Sequence, residues 1–167
     1  MTSQNPYAAP KANIGDDPHE GPELAGRGQR FGAAIIDGLI GLLSGVPIMI
    51  ALGTYEYLKA GQAIPWGLTL AGAAIGFVVF VAVQGWFLKT NGQTIGKKIV
   101  GIRIADLENN VPRFGKVLGL RYLPMSAVTV IPLVGQFLPL LDVLFIFRSD
   151  RRCVHDLIAG TRVIKVG

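Results

Sequence analysis

Two unbroken apolar runs constrain this chain more than any other feature. Phe31 to Gly53 is 23 residues long with Asp37 as its only charge, and Trp66 to Leu88 is also 23 residues with none. As a helix, each rises about 34 Å, enough to cross a hydrocarbon core of about 30 Å. Composition points the same way. Apolar residues make up 50% of the chain and charged residues 16%, against about 25% charged in an ordinary soluble domain. Such a chain lacks the polar groups to cover itself, so lipid is the expected cover. Tyr55, Tyr57 and Trp66 lie near the facing ends of the two runs and Trp86 near a far end, as interfacial aromatics do.

A third apolar region, Val117 to Phe147, contains only Arg121 and Asp142 as charges and is broken by Pro124, Pro132 and Pro139. It is too long for one simple span, so a hairpin is predicted. One helix runs to about Val130, a turn falls at IPLVGQ, and a second helix returns from Phe137 to Phe147. The returning arm rises only about 18 Å, so it is tilted, re-entrant or crosses part of the way.

The charges between these runs decide the orientation. The net charge is +5, a balance compatible with nucleic-acid binding or with the cytoplasmic loops of a membrane protein. The second fits, because the basic residues sit between apolar segments. Lys89, Lys97, Lys98, Arg103, Arg113 and Lys116 follow the second run, and Arg148, Arg151, Arg152, Arg162 and Lys165 follow the third. The positive-inside rule places both segments and the N-terminus in the cytoplasm. Residues 1–28 are polar and rich in Pro, Gly and Asp, with no apolar core for a signal peptide. They read as a disordered cytoplasmic tail, leaving residues 29–167 as the transmembrane domain. The single cysteine, Cys153, allows no internal disulfide.

The expected fold is therefore all-α: a small transmembrane bundle of two full spans plus a proline-broken helical hairpin. KIVGIRIAD and TRVIKV alternate β-branched residues and are predicted to pair as a small cytoplasmic β-hairpin. Gly41/Gly45 and Gly72/Gly76 have the small-xxx-small spacing of closely packed helices. Packing within one chain is favoured there over a dimer contact.

Counting 1.5 Å per residue from the basic ends puts Asp37 about 10 Å deep, Asp142 about 9 Å, and Arg121 and Gln84 about 7–8 Å. The four are expected in one layer. An intramembrane charge costs roughly 2.5–3.5 kcal/mol at a helix centre and persists when it meets partners. Arg121 neutralises one carboxylate, and the other is left for Gln84, water, a proton or a small cation. A static triad of Asp37, Arg121 and Asp142 that fixes helix register is the structural alternative. Arg30 lies on nearly the same face as Asp37 and reads by itself as an interfacial anchor.

GQTIGKK lacks the spacing and the Ser/Thr of a phosphate-binding loop. Gly92, Gly96 and Lys97 are read instead as a glycine turn with a basic anchor at the headgroups. In RRCVHDLIAGTRV, His155 and Asp156 are adjacent, so on a helix their side chains diverge. His155 is expected to cap or pack near the interface, and the only other histidine is His19. No nucleophile–base pair or metal-ligand set is visible, so no enzyme, cofactor or metal is expected.

Arg30 at the opening of the first helix, Asp37 within it, Asp142 in a later apolar helix, the loop GQTIGKKIVGIRIAD and the ending RRCVHDLIAGTRVIKV together resemble the RDD family of bacterial multi-pass membrane proteins. The resemblance covers Leu24 to Val166. It implies Arg30, Asp37 and Asp142 as signature residues, and transport of unidentified ligands, with Na⁺/H⁺ antiport linked to some members. The expected function is thus movement of a small cation or proton through the Asp/Arg layer. The alternative is an accessory membrane protein without transport. Membrane lipids and a second copy of the chain are the expected partners; nucleic acid is not.

Overall fold

The computed structural model describes residues 21–131 and 134–166. Two long helices dominate it. Helix α1 (Arg27–Ala51) starts at Gly26, whose N–H donates to Gln29 Oε1 at 3.0 Å. Helix α3 (Trp66–Asn91) opens after Pro65 and ends at Gly92, which takes φ +65°, a left-handed stop that favours glycine. The short helix α2 (Thr54–Lys59) links them. Both long helices are apolar and long enough to cross a membrane. They leave large side chains open along their length, including Leu43, Val78 and Trp86. Apolar surface on this scale needs a cover other than water.

The buried core lies at the other end of the molecule. After α3 the chain forms the one-turn helix α4 (Ile95–Ile99) and strand β1 (Ile102–Asp106). Strand β2 (Thr161–Lys165) lies antiparallel to β1, with Ile104 opposite Val163. The two strands were expected, and the sheet they form is present. It is not a hairpin, however, because residues 107–160 separate its strands. Leu24 bridges to Ile164 on the far edge of β2. Ala25, Ala33, Ile102 and Val163 form one buried cluster, and Leu88, Ile104 and Val117 a second. Alternate strand residues thus cover the polar ends of α1 and α3.

Of the expected tail, residues 1–20 lie outside the described residues. Residues 23–25 flank the sheet, and α1 already begins at Arg27. The hairpin region is helical. Helix α5 (Phe114–Lys116) runs through a π-helical segment, Val117–Tyr122, into helix α6 (Leu123–Thr129). The wider register precedes Pro124, whose missing N–H prevents a regular α ladder there. Helix α7 (Val134–Leu144) packs back on α6 and ends in a 3₁₀ turn, Phe145–Phe147. At about 1.5 Å per residue the two arms rise about 24 and 21 Å, short of a full crossing. A one-turn helix α8 (Val154–Ile158) then leads into β2.

Candidate functional site

Asp37 and Asp142 do the same job for different partners. Helix α4 packs across α1, and its first turn has backbone N–H groups with no partner inside the helix. Gly96 N–H donates to Asp37 Oδ1 at 2.8 Å, and the Thr94 hydroxyl donates to Oδ2 at 2.5 Å. Gln84, from α3, donates from Nε2 to Asp37 Oδ1 at 3.3 Å and accepts Ile95 N–H at 2.7 Å. Lys97 Nζ stands 3.7 Å from Asp37 Oδ2. Asp37 is therefore a cap supplied from another helix, and its carboxylate is saturated with donors. The glycine at 96 is required: a Cβ there would press on the Ala33 carbonyl and sit 2.8 Å from Asp37 Oδ1.

Asp142, on α7, meets α8 in the same way. It accepts His155 N–H at 2.9 Å and lies 2.5 Å from His155 Nδ1. Beside it, Asp156 forms the hub of a second ion-pair cluster. Arg30 from α1 and Arg121 from the π-helical segment both donate to its carboxylate. Cys153 N–H donates to Asp156 Oδ2 at 3.1 Å, so Asp156 also caps its own helix. Arg121 donates to Thr161 Oγ1 at 2.9 Å, and Arg30 donates to the Arg151 carbonyl. The side chain of Asp156 is 0% exposed and that of Arg121 3%. Burial alone would raise the Asp156 carboxyl; Arg121, His155 and Arg30 outweigh it and hold the group well below the usual carboxylate range. Burial, reinforced by Arg121, lowers the His155 imidazole despite its bond to Asp142. Burial pushes the Cys153 thiol up to about 11.

The single layer drawn from helix depth is thus two clusters. Gln84 does meet Asp37, as depth suggests. Arg121 does not neutralise Asp37 or Asp142. It pairs with Asp156, a residue assigned no partner from the sequence. Arg30 is not a lone interfacial anchor, since it closes the same ion-pair cluster from 126 residues away. His155 and Asp156 do not diverge into separate surroundings: His155 Nε2 is 3.7 Å from Asp156 Oδ1. Gly92, Gly96 and Lys97 form the turn that docks α4 on Asp37. Thr94, Cys153 and Thr161 were missed. The spacing of Cys153 and Asp156, three residues apart at a helix start, was the one local signal for a capping role. Asp142, Cys153 and His155 also bring an oxygen, a sulfur and a nitrogen donor to one place.

The RDD family model matches residues 24–160, the stretch that contains Arg30, Asp37, Arg121, Asp142 and Asp156. The chain belongs to the RDD family. It is similar to an uncharacterized protein of Haemophilus influenzae (strain ATCC 51907 / DSM 11121 / KW20 / Rd), 30% identical over 143 residues that cover 84% of this chain and 78% of that protein. No solved structure matches. RDD membership and two apolar helices of spanning length make this a membrane protein.

Proposed function

We propose that this RDD protein is a multi-pass inner-membrane protein with both termini in the cytoplasm, and that it moves a small cation or proton past Asp142. Helices α1 and α3 cross the bilayer. The sheet, α4 and α8 form a basic cytoplasmic cap, in keeping with the positive-inside rule. The α6–α7 hairpin enters from that side. One observation carries the transport reading. Of the three aspartates that join the cap to the apolar helices, Asp37 has Lys97 and Asp156 has two arginines, whereas the partner of Asp142 is a histidine. A carboxylate at membrane depth without a permanent positive partner is the one with capacity for a cation. The adjoining His155 side chain is 19% exposed, which gives the pair an opening to solvent. Two spans and a short hairpin enclose little, so the working form is an oligomer.

The accessory reading also has a specific support. Asp37 and Asp156 are wholly engaged in fastening the cap, as a purely structural protein would need. Proteoliposomes separate the two. In the transport reading, an imposed Na⁺ gradient drives proton movement across the vesicle wall. Asp142→Asn abolishes that movement, whereas the conservative Asp37→Glu retains some of it. Purified, folded protein that moves no protons under any cation gradient would leave the accessory reading standing.

A further inference from the structure

We infer that Asp142, Cys153 and His155 form a binding site for a divalent transition-metal ion of borderline softness, of the Zn²⁺ or Co²⁺ class. One oxygen, one sulfur and one nitrogen atom from these residues all lie within 4.8 Å of one another. Ligands of a tetrahedral ion at 2.0–2.3 Å from the metal stand about 3.3–3.8 Å apart. Asp142 Oδ2 and His155 Nδ1, now hydrogen-bonded at 2.5 Å, would therefore open by about 1 Å as the metal replaces the shared proton, and the sulfur would close by about 1 Å at most. Two of the donors, Cys153 and His155, sit two residues apart at the N-cap and first turn of α8, and the third faces them from α7. The backbone holds them in place. Cys153 N–H is tied to Asp156, and His155 N–H to Asp142.

The surroundings suit such an ion. Metal on His155 Nδ1 leaves the ring proton on Nε2, which is 3.7 Å from Asp156 Oδ1. A carboxylate behind a ligating histidine is the usual way its ring is oriented. Asp156 is itself anchored by Arg30 and Arg121. Burial keeps the Cys153 thiol protonated in the empty site; Arg30 Nη2, 3.5 Å from Sγ, offsets part of that, and the metal itself displaces the proton. On binding, the thiol proton leaves to solvent, and the imidazole keeps one proton, moved from Nδ1 to Nε2. Thiolate and carboxylate together match the double positive charge. Sulfur and imidazole donors select against Na⁺, K⁺, Mg²⁺ and Ca²⁺. A fourth position remains for water, since the His155 side chain is partly exposed.

This site goes beyond the transport reading and does not depend on it, because binding is read without flux. The test is titration of Co²⁺ into the chelator-stripped full-length chain in detergent micelles. One equivalent should produce a thiolate-to-cobalt charge-transfer band in the near ultraviolet and intense visible d–d bands of four-coordination. Zn²⁺ should bleach both. Cys153→Ser should abolish the charge-transfer band in a protein that still folds, because a serine hydroxyl can take over both the contact with Arg30 Nη2 and the capping-box contact with the backbone of Asp156. His155→Gln should weaken binding by more than the 10–100-fold typical of losing an outer partner. Asp142→Asn should do the same. If it fails to fold, His155→Gln and Cys153→Ser decide the matter. Absence of a saturable signal, or a signal that survives both of those changes, would overturn the site. Intact Co²⁺ binding in a protein without flux would remove the transport reading alone.

Discussion

Asp156→Asn is the sharpest test of the ion-pair cluster. The change keeps the shape of the side chain and leaves an oxygen to cap Cys153 N–H. What it removes is the negative charge between Arg30 and Arg121, whose side chains are 9% and 3% exposed. Two guanidinium groups then remain buried with no anion. Breaking a buried pair by removing one partner costs about 3–5 kcal/mol, because the remaining charge stays desolvated. For a chain of this size, about 2–4 °C of melting temperature corresponds to each kcal/mol, which gives a fall of about 6–20 °C. The assay is thermal unfolding of the full chain in detergent, followed by ellipticity, with Asp150→Asn as control. Asp150 pairs with an exposed Arg148 on the surface, so the control should melt with the parent. Adding Arg121→Met to Asp156→Asn should recover part of the loss, since it removes one orphaned charge. A melting temperature for Asp156→Asn equal to the parent's would refute the reasoning.

Two further outcomes follow from the same geometry. Gly96→Ala should cost about 3–5 kcal/mol, from loss of a charge-assisted bond to Asp37 and crowding against α1, and should appear in the same melts. Acid should weaken the fold through Asp156: its native carboxyl lies below an unfolded value of about 3.9, so its contribution is complete above that pH and is lost as pH falls towards the native value. Denaturant midpoints measured between pH 6 and pH 3 should fall for the parent, and fall less for Asp156→Asn.

Helix depth read from sequence succeeded for one pair and failed for the other. Asp37 and Gln84 sit on unbroken helices whose basic ends are clear, so a constant rise places them at the same level. Arg121 lies in a π-helical turn ahead of Pro124, where the register is wider and the side chain is turned towards α8. Depth is also only one coordinate, and says nothing about which way a helix face points. Asp156 could not be found that way at all. It belongs to a polar segment that returns to the apolar helices from the cap, and its two arginine partners precede it by 126 and 35 residues.

The two spanning-length helices, the two strands and the glycine stop at Gly92 were determined by sequence alone. Each rests on hydropathy, β-branched alternation or backbone freedom within a few adjacent residues. Tertiary structure alone decided that Asp37 and Asp142 each cap a short helix from elsewhere in the chain, and that Arg30 and Arg121 share Asp156. Charges and unpaired N–H groups attract any opposite partner within reach. Only the packing of α4 on α1 and of α8 on the hairpin determines which partner is within reach.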